Sequence, residues 1–202
     1  MDYFYYHWGP FLLRTQISAK ECQLLLQEGK KCRKKSNDYR HELAGHMKEE
    51  YQIKNIEGML EWFQKYIDGY VEACKKWAPQ TPLVSDQLEL SQLWINYMKK
   101  NEFNPPHGHS GALSFVIYPD VPQALVKENK KFVGKSIGPG GIVWNYGEGV
   151  HEQYIDFQGH FPQSGDLFIF PATLKHWVFP FTSNVERISV SGNIKRRYIH
   201  GS

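Results

Sequence analysis

The sequence predicts a mainly β fold of the α+β class, and three observations lead to it. Two amphipathic stretches occupy the N-terminal part, at about residues 18–31 and 54–77. After Pro82 the texture changes to short runs of β-branched and aromatic residues separated by Gly, Pro and Asn turns. The length of 202 residues fits one domain at roughly 150 residues per domain. We therefore expect a single domain over 1–202, with an N-terminal helical support of about 1–82 layered on an antiparallel β core of about 83–202.

Phe11 to Ile17 reads as a short strand. Ser18 followed by Glu21 is a capping-box pattern, which starts a helix running to about Lys31 with Leu24, Leu25 and Gln27 opening its core face. Lys30, Lys31, Arg33, Lys34 and Lys35 complement the end of that helix and stay solvated. Ile56, Met59, Leu60, Phe63, Ile67, Tyr70, Val71 and Cys74 recur every three or four residues, which predicts a helix over about 54–77 ended by Pro79. Strands are expected at Leu88 to Met98, Ala112 to Tyr118, Ile142 to Tyr146, Gln153 to Phe157, Asp166 to Phe170, His176 to Phe179 and Arg187 to Asn193. Strands in that number without intervening helices form a sandwich, a jelly roll or a barrel. Segments 119–141 and 147–152 are read as loops at the rim of a site, their lysines Lys127, Lys130, Lys131 and Lys135 keeping them solvated.

Composition narrows the function classes. With 41% hydrophobic and 15% aromatic residues the chain can bury a core, which excludes disorder. The net charge of 24 − 21 = +3 is too small to call for nucleic acid or an anionic membrane. Cys22, Cys32 and Cys74 are odd in number and form no CxxC pair, which suits a reducing, cytoplasmic setting. No stretch of about 18 apolar residues occurs, and residues 1–16 lack the basic and apolar regions of a secretory signal, so neither membrane nor export is expected.

The candidate chemistry lies in the β half. In Asn104-Pro-Pro-His107-Gly-His109-Ser-Gly111 the two histidines are two apart, so at a strand entrance they project to the same side and can bind one metal. His176 follows a buried strand and a Pro-led turn, a corner able to deliver a third ligand. Arg187 and Ser189 share one face of a later strand, and a buried arginine needs an anionic partner. Taken singly each feature has an ordinary explanation: a chance His-x-His, a hydrogen-bonded core histidine, or an arginine paired with Glu186 or Asp166. Trp144, Tyr146 and Trp177 are read as packing aromatics before pocket residues.

In combination, His-x-His, a distal His 69 residues after His107, and Arg-x-Ser eleven residues further resemble the iron(II) and 2-oxoglutarate dependent dioxygenases. The segments WINYMKKNEFNPPHGHSGALSFVIYP and SGDLFIFPATLKHWVFPFTSNVERISVSGN are similar to a branch frequent in bacteria and in phages of marine cyanobacteria. The resemblance spans about residues 88–194 and implies a double-stranded β-helix, a jelly roll, with Fe(II), 2-oxoglutarate and O2 as cofactor and co-substrates. It implies His107 and His176 as iron ligands, with Arg187 and Ser189 on the distal carboxylate of 2-oxoglutarate. Tyr118, and either Tyr97 or Asn96 according to the register of the first long strand, would complete that pocket. The implied reaction hydroxylates an unactivated C–H of a small-molecule or peptidyl substrate and yields succinate and CO2.

One position departs from the family. The usual third ligand is the acid of His-x-Asp or His-x-Glu, and here His109 stands in its place. We expect His107, His109 and His176 to form the metal set. The alternative makes His109 the first ligand and leaves the acid position vacant at Gly111, as in halogenases of the superfamily. A cupin-like metal enzyme or sugar-binding jelly roll needs a Glu shortly after the second His, and Ser110 to Ser114 contain none. A zinc hydrolase of the His-x-His-x-Asp-His kind fails likewise, because Gly111 and Ala112 replace its Asp and His.

Overall fold

Ser18 Oγ accepts the Glu21 amide at 3.3 Å while the Glu21 carboxylate accepts the Ser18 amide at 2.7 Å, so the capping box read from the sequence is formed. The computed structural model describes residues 9–147 and 157–197, and all elements below lie among them. They run β1 (Leu13–Gln16), α1 (Ala19–Cys32), β2 (Glu50–Gln52), α2 (Ile56–Trp77), β3 (Leu88–Met98), β4 (Asn104–His107), β5 (Leu113–Asp120), α3 (Gln123–Lys131), β6 (Ile142–Asn145), β7 (Phe157–His160), β8 (Asp166–Pro171), β9 (Lys175–Val178) and β10 (Arg187–Arg196).

Ten strands form two antiparallel sheets. One has the order β1-β8-β5-β10-β3-β2 and the other β4-β9-β6-β7. The pleat of the larger sheet sends alternate side chains into two separate cores. On one side Leu93, Ile95, Phe115, Ile117, Ile169 and Val190 meet α1 and α2. On the other, Met98, Val116, Tyr118, Phe168 and Phe170 meet Ile142, Trp144 and Val178 of the smaller sheet. The molecule is thus layered as helices, larger sheet and smaller sheet, and the second core is where a site can form.

The α2 helix buries Met59, Phe63, Ile67, Tyr70, Val71 and Cys74, the stripe read from its periodicity. Each such side chain contributes about 1.5–3 kcal/mol of burial energy. The core face of α1 differs from expectation. Leu25, Gly29 and Cys32 are buried, while Leu24 is 43% exposed and Gln27 faces solvent. Gly29 sets that face, because a Cβ there would lie 2.3 Å from Ile95 Cδ1 and 2.6 Å from the Tyr97 hydroxyl. Glu21 then accepts from Lys65 at 2.7 Å and Tyr66 at 3.0 Å, joining α1 to α2.

Three elements were not expected from the sequence. β2 is only three residues long, β4 contains two prolines, and α3 occupies a segment read as a rim loop. β4 lies at the edge of its sheet, where proline's missing amide leaves no ladder bond unmade. The strand expected at Gln153 to Phe157 has its residues 153–156 outside the described residues, and β7 begins at Phe157. Among the described residues no helix is long and apolar enough to cross a membrane.

Candidate metal centre

β4 and β9 pair so that His107 and His176 are direct cross-strand partners, and their ring centroids lie 4.3 Å apart. His109 follows β4 and is fixed by its amide, which donates to the Ala172 carbonyl at 2.8 Å. Its ring centroid is 4.9 Å from that of His107 and 5.1 Å from that of His176. The candidate ligand atoms of the three all lie within 4.8 Å of one another.

Their hydrogen bonds prepare them as ligands. His107 Nδ1 donates to the Pro105 carbonyl at 2.7 Å, and His176 Nδ1 donates to the Leu174 carbonyl at 2.9 Å. With the proton on Nδ1, the Nε2 lone pair of each is free for a metal. Burial, followed by repulsion from His107, holds His109 down to about 4 and His176 down to about 3, and burial also lowers His107. All three are neutral near pH 7, the form a metal requires. Phe170 lies edge-on to His176 at 4.9 Å and Trp94 lies 5.6 Å from His109, so aromatic rings fix both imidazoles.

The same enclosed pocket is lined by Asn96, Tyr118, Arg187, Ser189 and Ser191, and among the described residues no acidic one lines it. Arg187 is only 2% exposed. Its Nη1 donates to the Gly140 carbonyl at 2.8 Å, its Nη2 reaches the Met98 sulfur at 3.1 Å, and its Nε has no partner among the described residues. The carboxylates that could have paired with it are engaged elsewhere. Asp166 accepts from Arg14 at 3.0 Å, and Glu186 accepts from Arg33 at 2.7 Å. A buried guanidinium without a carboxylate is costly and marks a place for an anion.

Other polar atoms beside it are also unpartnered. The Tyr118 hydroxyl and Asn96 Oδ1 are buried without a hydrogen bond, while Asn96 Nδ2 donates to Ser189 Oγ at 3.3 Å. The Tyr118 ring lies under the guanidinium at 5.2 Å, and burial raises its phenol to about 12, so it remains a neutral donor. Neutral imidazoles with free Nε2 atoms next to an uncompensated buried cation fit a divalent metal together with a dianionic ligand. That donor set, all imidazole nitrogen, suits iron as it does zinc, copper or nickel.

Of the two residues competing for the pocket, Asn96 faces it and Tyr97 does not. Tyr97 stands on the opposite face of β3, among the residues that meet α1 and α2, with the Arg33 guanidinium 4.1 Å from its ring centre. The pleat decides this, since neighbours in a strand point to opposite sides. Gly111 is likewise apart: a Cβ there would meet only the Ile194 carbonyl group within 4 Å. Met98 and Gly140, which orient Arg187, were not singled out from the sequence. Met98 shares the parity of Asn96 and was legible by alternation, whereas Gly140 acts through a carbonyl that leaves no side-chain signal.

A model of the 2OG-Fe(II) oxygenase family matches residues 92–193, which is half of the chain and includes every residue named above as lining the pocket. The chain belongs to this family. It is a 2-oxoglutarate and iron(II) dependent oxygenase. No curated protein matches the sequence of this oxygenase. Its fold is similar to that of a prolyl-4-hydroxylase from Pseudomonas putida, at 16% identity and a TM-score of 0.57 over 93% of both chains. It is also similar to the viral collagen prolyl hydroxylase of Paramecium bursaria Chlorella virus-1, solved with 2-oxoglutarate, at 14% identity and a TM-score of 0.56 over 94% of this chain and 98% of the other. HygX of Streptomyces hygroscopicus, solved with nickel and 2-oxoglutarate, aligns at 11% identity and a TM-score of 0.58 over 93% of this chain and 83% of the other. At such identities the likeness is one of fold, and the oxygenase's residues must speak for its site.

Proposed function

We propose that His107, His109 and His176 hold Fe(II), that Arg187, Ser189, Asn96 and Tyr118 hold the distal carboxylate of 2-oxoglutarate, and that the enzyme hydroxylates a C–H of a small-molecule or peptidyl substrate. The two sheets then serve as the two walls of a double-stranded β-helix, with residues 83–202 as the catalytic core and 1–82 as its support within one domain. The observation that carries this reading is Arg187, a buried cation without an anion in the pocket that gathers three neutral histidines.

Iron would supply oxygen activation coupled to oxidative decarboxylation of 2-oxoglutarate to succinate and CO2. The chain supplies binding, orientation and exclusion of water. Arg187 offers its unpartnered Nε toward the distal carboxylate, Tyr118 and Ser189 add hydroxyl donors, and charge-assisted contacts of this kind are the strong ones. Three neutral imidazoles leave the ion's double charge unneutralised and Arg187 adds another, so a dianionic co-substrate is complementary in charge. Trp94, Val116, Ile142, Phe170 and Val178 line the rest of the pocket and keep bulk water out.

The test is anaerobic addition of Fe(II) and 2-oxoglutarate. Together they raise the melting temperature above that reached with Fe(II) alone, because both bind the folded state. Admission of O2 then forms succinate without added prime substrate. No thermal shift and no succinate from the folded protein overturns the reading.

A further inference from the structure

Arg187 is aimed by two backbone segments, and one short helix holds both. Its Nη1 donates to the Gly140 carbonyl at 2.8 Å. Gly140 adopts φ +73°, and a Cβ there would stand 3.0 Å from Leu125 Cδ2, so a side chain would be strained and crowded where glycine packs against α3 and presents its carbonyl to Arg187. The residues leading to it are tied down by Asn129 of α3, whose Nδ2 donates to the Ile137 carbonyl at 2.9 Å and to the Pro139 carbonyl at 3.0 Å. The preceding residue, Glu128, accepts the amides of Thr182 and Ser183 at 2.8 Å each, together with both their hydroxyls. That second segment runs directly into β10 at Arg187. Leu125, fully buried, anchors α3 itself. No residue of α3 lines the pocket of the histidines.

We propose that Asn129 is a positioning residue for the co-substrate: by fixing the Gly140 carbonyl it sets where the Arg187 guanidinium stands, and hence which length of 2-oxo diacid the pocket accepts. The inference rests on the reading of Arg187 as the partner of the distal carboxylate. Without the two donations from Asn129, the Ile137 and Pro139 carbonyls lose their shared donor and the segment before Gly140 is free to shift. A guanidinium anchored on a shifted carbonyl meets 2-oxoglutarate less well, and it discriminates less against 2-oxoadipate, which is one methylene longer.

The experiment compares the parent, Asn129→Ala, the milder Asn129→Ser, and Arg187→Met, each loaded with Zn(II). Calorimetric titration with 2-oxoglutarate and with 2-oxoadipate reads the dissociation constants without turnover. Both Asn129 variants are expected to weaken 2-oxoglutarate about tenfold, which corresponds to about 1.4 kcal/mol, with Zn(II) affinity unchanged. Their preference for 2-oxoglutarate over 2-oxoadipate should shrink, an effect that a merely structural asparagine does not produce. With iron restored, KM for 2-oxoglutarate in uncoupled succinate formation should rise while kcat stays within about twofold. If Arg187→Met weakens binding and folded Asn129→Ser matches the parent in affinity and length preference, the inference is overturned while the proposed function stands. If Arg187→Met also binds 2-oxoglutarate as the parent does, both fall.

Discussion

His107 and His176 face each other directly across the β4–β9 ladder with their ring centroids 4.3 Å apart, each with Nδ1 committed to a backbone carbonyl. The pair is therefore pre-oriented before any metal arrives, because strand pairing and tautomer are both fixed by backbone groups. His107→Ala or His176→Ala should lower Fe(II) affinity by more than about a hundredfold, beyond the usual cost of disturbing a group that only orients a ligand. Equilibrium dialysis of iron measures it, and parent-like binding in either variant removes that residue from the site.

His109 stands where an acid is usual, and its ring lies close to both partners. His109→Asp should retain iron and some conversion of 2-oxoglutarate to succinate, since ligand number survives although the shorter side chain reaches less far. His109→Ala should bind iron more weakly than His109→Asp. Because Gly111 faces the Ile194 carbonyl and not the histidines, bromide should leave the metal spectrum of the wild type unchanged. A bromide-dependent shift would point to a vacant ligand position and to halogenation.

Asn96 and Tyr97 are neighbours in β3 with opposite surroundings, one beside Ser189 and the other under Arg33. Asn96→Ala should raise KM for 2-oxoglutarate several-fold by removing a polar neighbour of Ser189 and Arg187. Tyr97→Phe should leave that KM unchanged. The reverse pattern in steady-state succinate assays would place the phenol in the pocket.

Much of this was legible in the sequence because it depends on period and spacing. Leu88 to Met98 is the strand that its alternation and aromatic content predict, and the α2 stripe is the predicted one. His107, His109, His176, Arg187 and Ser189 line one pocket, the grouping that the family resemblance implied. The choice between Asn96 and Tyr97 was not readable, because both faces of β3 are buried and alternation gives no sign of which core is which. The helix α3 was hidden for a different reason. Its nine residues carry one buried apolar side chain, Leu125, and are held by the polar contacts of Glu128 and Asn129 to distant loops.

Arg187 is the residue on which the co-substrate should depend most. Arg187→Met removes the only Lys or Arg lining the pocket among the described residues without touching the three histidines, so 2-oxoglutarate affinity should fall by more than about a hundredfold while iron affinity holds. Arg187→Lys should recover part of the loss, because a point charge replaces a planar fork. Titration of 2-oxoglutarate into iron-loaded protein under argon distinguishes these, and equal affinity in Arg187→Met and the parent would leave the buried guanidinium without a role.

Another buried ionisable group, Glu50, lies on β2, beside the strand that carries Asn96. Glu50 is 1% exposed, its Oε2 has no partner, and burial together with repulsion from Glu102 pushes its carboxyl from 4.5 to about 7 against the opposing pull of Arg40. A raised pKa means that the folded state holds this proton more tightly than the unfolded state does. The stability it confers is therefore complete below about pH 4.5 and is lost as pH rises through about 7. The loss across that window is on the order of 3 kcal/mol for a shift of this size. Glu50→Gln carries no proton to lose, so it should be more stable than the parent at pH 8 by up to that amount and nearly equal to it at pH 4. Urea unfolding at the two pH values measures the difference, and a gap that does not widen with pH would show that Glu50 titrates like an exposed carboxylate.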